Sequence, residues 1–275
     1  MPYVEVEGIR VHHVITGPDD PAAPTLVLVH GFTVDHRVLS GPFEPVFADH
    51  PQWRRIYLDL PGHGRTAAPE VASSDDVFQV LRAAVEALAP GRYALVGQSY
   101  GGYLARGLAA VHADRLDGLA IIVPVILPRH EERDLPPRQV LIRDPEFAAR
   151  LGAELDAEDL LVVQAEETWR ALRTYVQPGL DLADPDVTAR IATAYQGSFP
   201  VDVADFIRPC LIMVGRQDHI TGYRDAWTLL ERYPRATFAV LDQAGHGLDA
   251  EQPVLARALF GEWLDRVTAA TTALG

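Results

Sequence analysis

The stretch Gly97-Gln98-Ser99-Tyr100-Gly101-Gly102 sets a serine between glycines placed two positions to either side. A serine hydroxyl is a weak nucleophile at neutral pH, so it needs a base within hydrogen-bond reach and a third group to orient that base. The glycines answer a different need. A nucleophile exposed on a sharp turn draws the preceding strand and the following helix together, and neither can carry bulk there. With the glycine and serine contents of this chain, about 0.03 matches to G-x-S-x-G are expected by chance, before a flanking strand and helix are required. The bland alternative is a Gly-rich strand-to-helix turn.

Of the ten histidines, two stand directly after an apolar run that reads as a core strand. His246, in Gln243-Ala244-Gly245-His246-Gly247, follows the last such run and is the expected base. His30, beside Gly31, is expected to brace its loop by hydrogen bonding. His12, His13, His36, His50, His112 and His130 read as surface or packing residues, and His219 as a spare imidazole in the loop of the acid. That acid is Asp218, in Gly215-Arg216-Gln217-Asp218, with a helix-capping role as its alternative. Ser99, Asp218 and His246 therefore occur in the chain order nucleophile, acid, base. A tetrahedral intermediate also needs two preorganised donors for its oxyanion. The backbone amides of Tyr100, at the positive end of its helix, and of Phe32, after Gly31, are the candidates. The alternative for His30-Gly31 is a tight turn only.

These residues need a frame that brings distant loops to one edge. Continuous apolar runs at Thr25–Val29, Arg55–Leu58, Tyr93–Val96, Leu119–Val123, Leu211–Val214 and Thr237–Leu241 read as strands covered on both faces. An alternating hairpin, Tyr3–Glu7 and Val11–Ile15, precedes them. Helical spacing appears at Val77, Val80, Leu81, Ala84, Val85 and Leu88, with Ser73 and Asp76 as a capping box and Pro90-Gly91 as the stop. A helix is expected from just after Ser99, and another from Pro253 through Trp263. Strands alternating with helices predict an α/β fold, a mostly parallel doubly wound sheet. From Leu127 to Ile207 the rhythm breaks: helical stretches around Glu158–Tyr175 and Asp186–Tyr195 are punctuated by Pro128, Pro136, Pro137, Pro145, Pro178, Pro185 and Pro200. Residues 127–207 are thus expected to be a helical lid inserted before the last two core strands, over a core of 1–126 and 208–275. Trp169, Leu172 and Tyr175 on one lid helix either face the pocket or pack the lid.

Composition narrows the class further. With 275 residues, 48% hydrophobic and 23% charged, the chain can bury a sizeable core and has no stretch fit to cross a bilayer. A formal charge of −14 excludes an electrostatic footing for nucleic acid or anionic lipid and suits a small, mostly apolar ligand. The single cysteine, Cys210, excludes an intrachain disulfide and a cysteine zinc site, and its apolar run predicts a buried, inert thiol. No cofactor and no metal are expected. The start, Met1-Pro2-Tyr3-Val4-Glu5-Val6, has neither a basic leader nor an apolar run, so a cytoplasmic protein is expected.

At this point the chain resembles the α/β-hydrolase family, and within it the lidded serine hydrolases that include esterases, C–C bond hydrolases and thioesterases. The matching pieces are His30-Gly31-Phe32, Asp59-Leu60-Pro61-Gly62-His63-Gly64-Arg65-Thr66, the Ser99 turn, Gly215-Arg216-Gln217-Asp218 and Gly245-His246-Gly247. The resemblance implies a catalytic triad of Ser99, Asp218 and His246, an oxyanion hole from the amides of Phe32 and Tyr100, and a structural role for 59–66 with His63 braced inside it. It also removes dehalogenase and epoxide-hydrolase chemistry, whose relatives carry an aspartate where this chain has Ser99. The expected reaction is hydrolysis of an ester or related activated acyl substrate through an acyl-enzyme. C–C cleavage or acyl transfer on the same residues, and a non-catalytic small-ligand receptor, are the alternatives. Substrate and oligomeric state stay open.

Overall fold

The computed structural model describes residues 2–156 and 160–272. The apolar runs become β3 (Thr25–Val29), β4 (Arg54–Leu58), β5 (Tyr93–Gln98), β6 (Leu116–Ile122), β9 (Cys210–Gly215) and β10 (Ala236–Leu241). The hairpin supplies β1 (Tyr3–Val6) and β2 (Ile9–Thr16), joined by Glu7 and Gly8, both at positive φ, which suits a two-residue turn between twisted strands. The eight strands lie in the order β1-β2-β4-β3-β5-β6-β9-β10, and only the β1–β2 and β2–β4 pairings are antiparallel.

Side chains alternate along a strand, so a run that is apolar at every position feeds two cores at once. Val27, Val29, Leu95, Ile121, Ile212 and Val214 face one side, with α2 (Ser74–Leu88) and α3 (Tyr100–Val111). Leu26, Leu28, Val96, Ala120, Leu211 and Met213 face the other, against Phe43 of α1 (Arg37–Phe43) and Phe260, Trp263 and Leu264 of α11 (Pro253–Thr272). Each such side chain contributes about 1.5–3 kcal/mol by leaving water. Trp263 is fully buried, and its indole N–H donates to the Pro209 carbonyl at 3.1 Å, so its polar edge is not stranded. Helix α2 begins where Ser73 accepts the Asp76 amide at 3.2 Å; Asp76 reaches back to the Ala72 amide at 3.0 Å, one residue earlier than a strict capping box.

Cys210 sits at the start of β9 between β6 and β10, fully buried, and burial pushes its thiol pKa well up. β10 departs from the fully covered strand that its sequence suggests. It is the edge of the sheet, and most of its residues are partly exposed.

Between β6 and β9 the chain forms β7 (Ile142–Arg143), α4 (Pro145–Leu151), α5 (Ala153–Asp156), β8 (Val163–Gln164), α6 (Glu166–Ala171), α7 (Gln177–Leu182) and α8 (Pro185–Thr193). Glu158, where a helix was expected to begin, lies outside the described residues. The helical stretch runs on past Tyr175 because a π-helical turn at Leu172–Val176 carries α6 into α7, and Pro178, which has no N–H to donate, stands directly after that turn. β7 and β8 pair in parallel, a ladder too short to be read from alternation. Among the described residues no helix is long and apolar enough to cross a membrane.

Candidate active site

β3 and β5 are neighbours although β4 intervenes in sequence, so the chain reverses its direction of winding at this place. The loops leaving the carboxyl ends of β3 and β5 part there and leave a crevice. Ser99 follows β5 with φ 54° and ψ −116°, a left-handed conformation costly for a residue with a Cβ. What enforces it is the packing of the turn. A Cβ on Gly97 would stand 2.3 Å from the Gly101 carbonyl oxygen, and one on Gly101 would stand 2.2 Å from that of Val29. The Ser99 amide donates to Ile122 at 2.9 Å and its carbonyl accepts from Gly102 and Val125 at 2.9 and 3.0 Å, so the backbone is held from three directions.

The structure brings the three sequence-distant residues together. Ser99 Oγ lies 2.9 Å from His246 Nε2, and His246 Nδ1 lies 2.9 Å from Asp218 Oδ2. Asp218 is completely buried, which works against its ionisation. The His246 imidazole and the Thr221 amide and hydroxyl outweigh that burial and hold the carboxyl below its usual range. An ionised carboxylate can only accept, so the imidazole carries its proton on Nδ1. That leaves Nε2 to accept from the serine hydroxyl. Asp218 also takes the Ile220 amide at 2.8 Å, which closes the turn after β9; it caps no helix, because the next one begins at Arg224 with Tyr223 before it.

Glycines again allow the approach: a Cβ on Gly215, at the end of β9, would stand 2.3 Å from the Gly245 carbonyl oxygen, beside His246. Phe32 and Tyr100 flank Ser99 from two sides. Gly31 lies so close that its Cβ would meet that of Ser99 at 3.1 Å, and the Phe32 and Tyr100 rings meet edge to face at 5.4 Å.

The other histidines sort as follows. His30 donates from Nδ1 to the Gly31 carbonyl at 2.7 Å and accepts the Leu60 amide on Nε2 at 2.9 Å, so it ties the loop after β3 to the loop after β4. Burial lowers the pKa of His30, and drops that of His63 to about 3, keeping both neutral. His63 donates to the Pro61 carbonyl at 2.8 Å. His12 and His36 are not ordinary packing residues. Each places Nδ1 2.8 Å from the buried Asp59 carboxylate, which also accepts the His36 and Arg65 amides at 3.1 and 3.0 Å. The three side chains are close enough to share a cation, but these hydrogen bonds already account for the grouping.

A cavity of about 1180 Å³ opens over Ser99 and His246, walled by Phe32 and by Leu172, Tyr175 and Tyr195 from the segment between β6 and β9. Leu172 and Tyr175 thus face the cavity, whereas Trp169 packs edge-on against Phe147 at 6.3 Å. Sequence reasoning missed three polar residues here. Arg133 donates from all three guanidinium nitrogens to the carbonyls of Leu127, Pro128 and Ile220 at 2.8–2.9 Å, pinning the chain after β6 to the loop after Asp218. Gln98 lines the cavity with its Oε1 buried and unpartnered. Asp249 is buried in the cavity wall, and that burial, with the charge of Glu251 beside it, pushes its carboxyl up to about 7. A lone Arg in a Pro-rich stretch, or a Gln inside the serine motif, carries no local pattern that could have revealed them.

Residues 24–248 match the model of the α/β hydrolase fold family. A 2-succinyl-6-hydroxy-2,4-cyclohexadiene-1-carboxylate synthase from Salmonella paratyphi B is 38% identical over 104 residues. That stretch is 38% of this chain and only 40% of the relative, well under two thirds of its length. Among solved structures, an α/β superfamily hydrolase from Oenococcus oeni PSU-1 superposes with a TM-score of 0.84 at 26% identity, over 94% of this chain and 96% of that one. A thermophilic esterase from Thermogutta terrifontis shares the fold at TM-score 0.67 and 24% identity, over 97% of each chain.

Proposed function

Since the chain belongs to the α/β-hydrolase-fold family, we propose that it is a serine hydrolase cleaving an ester or related activated acyl substrate. The observation that carries this reading is the unbroken hydrogen-bonded path from Asp218 through His246 to Ser99, ending in a cavity. His246 Nε2 takes the Ser99 proton as Oγ bonds to the substrate carbonyl carbon, and the electron pair moves onto the carbonyl oxygen. The amides of Phe32 and Tyr100 stabilise that oxyanion. When it collapses, the bond to the leaving group breaks and the imidazolium returns the proton to it. Water then repeats the sequence on the acyl-enzyme and frees Ser99. Throughout, Asp218 holds the imidazole in one tautomer. None of these steps calls for a metal or an organic cofactor.

Residues 127–207 act in this reading as a lid over a core of 1–126 and 208–275. Their cavity-facing Leu172 and Tyr175 favour a small, mostly apolar acyl group. A Ser99→Ala variant should lose at least about 10⁴-fold in turnover of short p-nitrophenyl esters, and only the parent should take a fluorophosphonate label at residue 99. Equal turnover by parent and variant would sink the proposal. The identity shared with the Salmonella synthase favours a second reading, action on a carboxylated cyclohexadiene compound by the same side chains. Mass spectrometry of the enzyme under turnover separates the two, since an acyl adduct on Ser99 belongs only to the first.

A further inference from the structure

Glu251 closes α10 (Leu248–Glu251), the short helix after His246, and lies almost wholly buried. Its carboxylate is shared between two pieces of chain far apart in sequence. Oε2 accepts the amide of Gly245, the residue before His246, at 2.6 Å; Oε1 accepts the amides of Val162 and Val163 at 2.5 and 3.0 Å. The two pieces also touch directly, since a Cβ on Gly245 would stand 2.8 Å from Val162 Cγ2. On the other side of the same loop, Gln217 accepts the Ala244 amide at 3.1 Å. Residues 162–163 are in turn stitched to the 141–144 segment, through Leu141 to the Val162 carbonyl and Asp144 to that of Gln164, both at 2.9 Å. Burial pushes the Glu251 carboxyl above its ordinary range while the three amides pull it back, and among the described residues its hydrogen bonds come from backbone donors.

We infer that Glu251 is a positioning residue for the reaction proposed above, and the inference rests on that reading. One carboxylate sets the loop that carries His246 and seats the 162–163 segment beside it, so the base is aligned only while that segment is in place. Opening the segment strips two of the three amide donors from that carboxylate and leaves it, with Gly245 as its one remaining donor, free to shift the backbone next to the imidazole. A glutamine cannot substitute, because three N–H donors face two acceptor oxygens, and turning one oxygen into an NH₂ sets donor against donor on one side or the other.

The test is Glu251→Gln, read by steady-state kinetics on a short p-nitrophenyl ester and by the low-field proton resonance of His246 Nδ1–H. A shift of about 1 Å in a reacting group costs on the order of 10²-fold. The inference expects kcat to fall about 10- to 100-fold with KM within about threefold, and the low-field resonance to broaden or vanish while the remaining spectrum stays that of the parent. Should Glu251→Gln fail to fold, amide hydrogen exchange on the parent decides: Gly245, Val162 and Val163 should open together with one free energy. An unchanged kcat, an intact resonance, or separate exchange of Gly245 from the other two would overturn the inference. Ser99→Ala run alongside keeps the readings apart. If it is inactive while Glu251→Gln is normal, only the positioning role falls; if it is as active as the parent, the serine mechanism itself is wrong.

Discussion

Two buried aspartates in this chain hold imidazoles at almost the same distance and do different things with them. Asp218 lies 2.9 Å from His246, and Asp59 lies 2.8 Å from both His12 and His36. In both carboxyls, burial opposes ionisation and hydrogen-bonded donors override it, so both are held below the usual aspartate range. The difference is what lies beyond the imidazole. His246 presents its far nitrogen to Ser99 at the floor of a cavity, whereas the Asp59 group, with Asp59 and His12 buried and His36 partly so, lies between β2 and the loop after β3, away from that cavity. A histidine–aspartate pair becomes reactive machinery only where a nucleophile and an open space meet it; elsewhere it is a staple between loops.

The largest effect that tests this contrast is Asp218→Asn, which should lower kcat by about 10⁴-fold, with the fold retained in circular dichroism. The matching Asp59→Asn should leave kcat of the folded protein within about tenfold of the parent. It should instead cost about 3–5 kcal/mol, a drop of several degrees in Tm by calorimetry. Because the folded pKa of Asp59 is depressed, its contribution is present above the ordinary aspartate pKa and is lost as pH falls through the folded value. The Tm difference between parent and variant should therefore shrink in strong acid. If Asp59→Asn instead abolished turnover in a folded protein, the division between site and staple would be wrong.

Gly101→Ala sharpens the contrast from the backbone side. Its Cβ would press on the carbonyl oxygens of both Val29 and His30, at 2.2 and 2.4 Å, with no flexible side chain to yield. It should lower both activity and Tm, by about 2–3 kcal/mol of stability, the scale of strain from overpacking. Gly247→Ala, beside His246 but with nothing within 4 Å of its Cβ, is the control and should change Tm little. An effect of opposite sign is expected at Asp249, whose folded pKa of about 7 is raised by burial. A raised acid costs stability as pH climbs from its unfolded value of about 4 to its folded one. Asp249→Asn should thus raise Tm by a few degrees at pH 8 and change it little at pH 4.

What the sequence made legible follows from where each residue stands. Ser99, Asp218 and His246 each come directly after a continuous apolar run, and in a parallel sheet every such strand ends at the same edge. That geometry is implicit in the order of elements. The Asp59 group was not legible, because His12 reaches it only through the antiparallel pairing of β2 with β4, and no periodicity fixes which residues face each other across that pairing. Glu251 escaped notice for a related reason. Its three partners are backbone amides, and backbone amides leave no trace in residue type. The segment between β6 and β9 was read correctly as helical at 185–193 and only from Glu166 onward in the earlier stretch, where β8 occupies part of the expected helix; the short elements before them were missed, being too brief for a period to show.

Cys210 offers a use unrelated to the chemistry at Ser99. It is the sole thiol of the chain and pairs across the sheet with Leu119 on one side and Ala236 on the other. A disulfide-exchange reagent can reach it only when β9 parts from its neighbours. The rate of colour release then counts openings of the sheet next to its β10 edge. The protein carries its own stopwatch for unfolding, readable without a single substitution.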